Sequence, residues 1–75
     1  MRRFTAGATP TEERLWEVVI GRESWGTLVL LFSPASGGDV RKSVLVAETM
    51  FEAEAELGAL TDGELRERLA SSSPW

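Results

Sequence analysis

Three glutamates set four residues apart, Glu48, Glu52 and Glu56, lie on one face of any helix, with Glu54 beside them. Such a row would suit a hard cation or a basic docking partner. It also has the ordinary form of a solvated helix face, and that reading is preferred because no Asp-rich calcium-type loop accompanies it. Ser36-Gly37-Gly38-Asp39 is the only Gly-Gly loop. A phosphate cradle requires a helix start after the glycines and often a lysine, whereas here a strand follows. The segment therefore reads as a turn. Lys42 is the single lysine and stands next to Ser43. Neighbours on a strand point to opposite faces, so the two cannot form a Ser-Lys nucleophile pair. Lys42 reads instead as a surface or edge-strand lysine. Trp16 and Trp25 would form a stacking platform for bases if cations surrounded them, but only Arg14 and Arg22 are near in sequence. Packing in a core or an interface is the preferred role for both.

The missing residue types narrow the chemistry further. The chain has no His, Cys, Tyr, Asn or Gln. This excludes the Ser-His-Asp triad, the Cys-His pair and the usual zinc ligand sets. Disulfides are excluded as well. The formal net charge is −4 and the eight basic residues are scattered along the chain, which disfavours phosphate backbones as partners. No cofactor is expected. The N-terminal Arg2-Arg3 pair is not followed by an apolar run of signal-peptide type. The longest apolar run, Leu28 to Phe32, is far short of the roughly 20 residues that span a membrane. A cytoplasmic protein without membrane association is the expectation.

The elements that would position these residues follow from periodicity and punctuation. Residues 1–10 read as a flexible arm, 11–70 as one small domain and 71–75 as a tail. Leu15 to Ile20 alternates in the manner of a strand, although Thr9-Pro10-Thr11-Glu12 also fits a helical capping box. Gly21-Arg22-Glu23-Ser24 reads as a turn. Trp25 to Phe32 is apolar on both sides, as in a central strand, and Val40 to Ala47 alternates again. Thr49-Met50-Phe51-Glu52 and Thr61-Asp62-Gly63-Glu64 are two capping boxes, each opening a helix. Leu60 and Leu65 have the spacing of a hydrophobic staple around the second. The expected fold is α+β: a three-stranded antiparallel meander followed by two short helices.

Pairing Ile20 with Trp25 across the first turn places Trp16, Val18, Ile20, Trp25, Val29 and Leu31 on one face. Leu15, Val19, Leu28, Leu30 and Phe32 then take the other. Two short helices cover only one face, so the second needs a partner. A second copy of the chain is the simplest one, because a 75-residue chain without disulfide or metal is marginal alone. The expected function is that of a small non-catalytic interaction or accessory protein acting as a homodimer, with Trp16, Val18, Trp25, Val29 and Leu31 as its contact surface. The alternatives are a nucleic-acid-binding module using Trp16 and Trp25, and a carboxylate-based enzyme with an intersubunit site. The role of Trp75 is left open.

Overall fold

The computed structural model describes residues 1–7 and 9–75. Five strands form one antiparallel sheet in chain order: β1 (Arg2–Ala6), β2 (Arg14–Arg22), β3 (Leu28–Pro34), β4 (Arg41–Val44) and β5 (Ser73–Pro74). Two helices, α1 (Met50–Ala59) and α2 (Asp62–Ala70), come between β4 and β5. The α+β class and the helical pair agree with the sequence reading. The sheet has five strands where three were expected.

Both extra strands come from segments read as loose ends. The residues of β1 pair from Arg2 opposite Val18 to Ala6 opposite Arg14. Phe4 is buried there and meets Phe32 edge-on, with ring centroids 5.9 Å apart. The burial of an aromatic side chain anchors an arm that composition alone would leave free. At the other end, Arg41 pairs with Pro74 and Lys42 with Ser73, and the Trp75 amide donates to the Val40 carbonyl at 3.0 Å.

The first turn also differs from expectation. Gly21 is inside β2, opposite Val29, and the reversal occurs at Ser24-Trp25-Gly26. The Gly26 amide donates to the Glu23 carbonyl at 2.8 Å and the Glu23 amide to Thr27 at 2.9 Å. Gly26 has φ +97°, a conformation that side chains resist. This is a three-residue hairpin loop closed by a glycine. Segment 9–12 is a turn, not a helix start, with the Glu12 amide donating to the Thr9 carbonyl.

The register now pairs Arg22 with Leu28, Ile20 with Leu30, Val18 with Phe32 and Trp16 with Pro34. The buried side chains of β1, β2 and β3 therefore share one face: Phe4, Trp16, Val18, Leu28, Leu30 and Phe32. Ala53 and Leu57 of α1 and Leu65 of α2 complete the core from above. α2 packs on β1 and β4. Both helices start at threonine caps, as expected. Thr49 accepts from the Glu52 amide, and Thr61 and Glu64 form the full reciprocal box. No helix among the described residues is long and apolar enough to cross a membrane.

Candidate functional site

The face of the sheet that carries no helix is the most distinctive surface. Antiparallel partners point to the same side, so the pairs Thr5–Leu15, Glu17–Ser33, Val19–Leu31 and Leu31–Lys42 mark this outer face. Leu15, Val19 and Val44 are 41%, 39% and 57% exposed. Leu31 is half-buried, because it leans over Gly21: a Cβ added there would lie 2.5 Å from the Leu31 Cδ1. Glycine at 21 thus lets a neighbouring leucine lie flat and lowers the relief of the face. Val29, between Gly21 and Val44, is fully buried.

The charges on this face are paired. Arg3 Nε donates to Glu17 at 3.1 Å. Lys42 forms an ion pair with Glu23, whose carboxylate is buried under the hairpin tip. The Lys42 ammonium also lies 5.9 Å from the centre of the Trp75 ring. These four side chains sum to zero in a chain of net charge −4, so the acidic excess lies elsewhere. Much of it is on the helical side. Glu48, Glu52 and Glu54 are exposed, and of the row first considered as a cation or docking stripe only Glu56 is paired, with Arg68. Among the described residues no three carboxylates gather at a metal position.

The five residues expected to form one contact surface do not share a face. Trp16 and Val18 belong to the covered core, with Trp16 only 6% exposed. Val29 and Leu31 lie on the outer face. Trp25 stands in the hairpin loop, 74% exposed. The physical reason is the register. Expected and observed pairings differ by an odd number of residues, and an odd slip turns every side chain of one strand to the other face. Trp16 and Trp25 are accordingly not a joint platform for bases. The expected contact surface left out Leu15, Val19 and Val44, which are exposed on the outer face; Trp75, whose role the sequence left open, is 55% exposed. The signal that would have placed Val19 is Gly26, whose position favours the three-residue loop over the turn at Gly21.

Val46 is exposed next to the end of the sheet where the hairpin tip lies, since the Leu45 amide donates to the Leu28 carbonyl there, and Met50 and Phe51 are exposed at the start of α1. The chain matches no known family model, and comparison with curated proteins and with solved structures returns no significant similarity.

Proposed function

We propose that this chain is a small non-catalytic interaction module that works as a homodimer joined through the outer sheet face. One observation carries the reading: Leu15, Val19, Leu31 and Val44 form an apolar sheet surface that no helix of the chain covers. Two such faces pack at about 10 Å separation, as sheets do in sandwiches. The occupant is a second copy, because the charges on the face cancel within it. A chain with net charge −4 meets its own copy most easily where that charge is absent. The acidic helices then face outward on both sides of the dimer and hold other molecules of the same charge apart. A cytoplasmic setting, where cysteine-free small proteins are unexceptional, goes with this reading.

Sedimentation equilibrium at micromolar concentration tests it, with Val19→Glu as the companion variant. The expected result is a dimer for the parent chain and a folded monomer for Val19→Glu. A parent chain that stays monomeric while folded removes the proposal.

A further inference from the structure

An open cleft of about 670 Å³ lies at the opposite end of the sheet from the hairpin tip. It is bounded by the end of β1, the start of β2 and the C-terminal half of α2. Its floor is apolar, with Ala6, Trp16 and Leu69. Its rim carries Glu12, Arg14 and Arg66. The volume is within the range of about 300–1,000 Å³ typical of small-molecule sites.

The state of the two arginines gives this cleft its character. Arg2, Arg3, Lys42 and Arg68 are each held by a carboxylate. Arg22 donates to the Gly26 carbonyl, and Arg41 to Ser72. Arg66 uses only its Nε, on the Thr5 carbonyl at 2.7 Å. Its two terminal nitrogens have no partner among the described residues. The Arg14 guanidinium rests 4.8 Å over the Trp16 ring and has no hydrogen-bond partner among the described residues. Both side chains thus reach the cleft with donors to spare and no carboxylate. Against Glu12, the rim is net positive by one in a strongly acidic chain.

We propose that this cleft binds a small apolar carboxylate. The hydrocarbon body lies on Trp16 and Leu69, and the single anionic end takes the free guanidinium donors of Arg14 and Arg66. Arginine is suited to this, because its planar donor pairs match a carboxylate in two parallel bonds. Glu12 sets the charge limit: it tolerates a monoanion and repels a second carboxylate. The cleft opens on the helical side of the sheet, so its occupancy does not depend on the dimer proposed above.

Octanoate is the probe, with octanol of equal chain length as the uncharged comparison. Titration is followed by heteronuclear NMR at the Trp16 indole and the Leu69 methyls. Octanoate is expected to shift both sets of signals and to bind at least about tenfold more tightly than octanol. Arg14→Gln is expected to weaken octanoate by about tenfold and to leave octanol unchanged. Glu12→Gln is expected to tighten octanoate several-fold. The Arg14 side chain makes no hydrogen bond among the described residues, so its variant stays informative if an Arg66 variant does not fold. Equal binding of octanol and octanoate overturns the proposal. So do shifts at Val19 and Leu31 in place of Trp16 and Leu69, or an Arg14→Gln chain that binds octanoate as the parent does.

Discussion

Thr61 and Glu64 exchange hydrogen bonds at the start of α2. The Glu64 amide donates to the Thr61 hydroxyl at 3.1 Å, and the Thr61 amide to the Glu64 carboxylate at 2.9 Å. Thr61→Ala is expected to cost about 1 kcal/mol, as for other lost caps. Leu65→Ala is expected to cost more, about 2–5 kcal/mol, because Leu65 is fully buried. Urea denaturation of both variants gives the two numbers. The bond from the Thr61 amide, then that from its side chain, holds the Glu64 carboxyl below its ordinary pKa, and Arg68 adds to this. A carboxyl whose pKa falls on folding stabilises the fold above the unfolded value. That contribution is lost as acid takes the pH down through the folded value. The stability advantage of the parent chain over Glu64→Gln is therefore expected at neutral pH and should vanish below the ordinary carboxylate range. Urea melts across that range check the sign. The cap motif was fully legible in the sequence, because it depends on residues three apart and on nothing distant.

At the scale of elements, β1 does more than extend the sheet. α1 has no basic residue in its last turn. Arg2 supplies one from another element: its guanidinium donates to the Leu57 and Leu60 carbonyls and pairs with Asp62 at 2.9 Å. One side chain thus satisfies the exposed carbonyls at the end of α1 and ties them to the first turn of α2. Arg3, its neighbour, points to the outer face and is mostly exposed on Glu17. Arg2→Ala is expected to lower stability by about 1–2 kcal/mol, and Arg3→Ala by less than about 1 kcal/mol. Thermal melts of the two variants separate them, and equal effects would contradict the capping role. The helices and the middle strands were legible from periodicity and capping. The arm and the tail were not, because Arg2, Phe4 and Trp75 find their partners, at residues 57, 32 and 40, only after the chain has folded. The hairpin was legible in principle through Gly26, but Gly21 is an equally common turn residue. The choice between them decides which side of β2 faces the core.

For the whole molecule, that choice decides which apolar groups are left in solvent. A mispaired first hairpin makes both faces equally rich in apolar groups. The observed register puts the large ones, Trp16, Phe32 and Leu30, under the helices, and leaves a shallower set outside. The proposed dimer face is this shallower set, Leu15, Val19, Leu31 and Val44, on a face with no net charge. The candidate surface was therefore legible only in outline. That one face stays open follows from the count of helices, whereas its membership follows from a register that turns on one glycine. The competing exposed apolar groups are Trp25 in the hairpin loop, Val46 after β4 and Phe51 in the first turn of α1. The most direct measurement is an isotope-filtered NMR experiment on an equimolar mixture of labelled and unlabelled chain, reading only contacts between molecules. The predicted result is intermolecular contact among the methyls of Leu15, Val19, Leu31 and Val44. Intermolecular contacts confined to Trp25, Val46 and Phe51, or none at millimolar concentration, would contradict association through the outer sheet face.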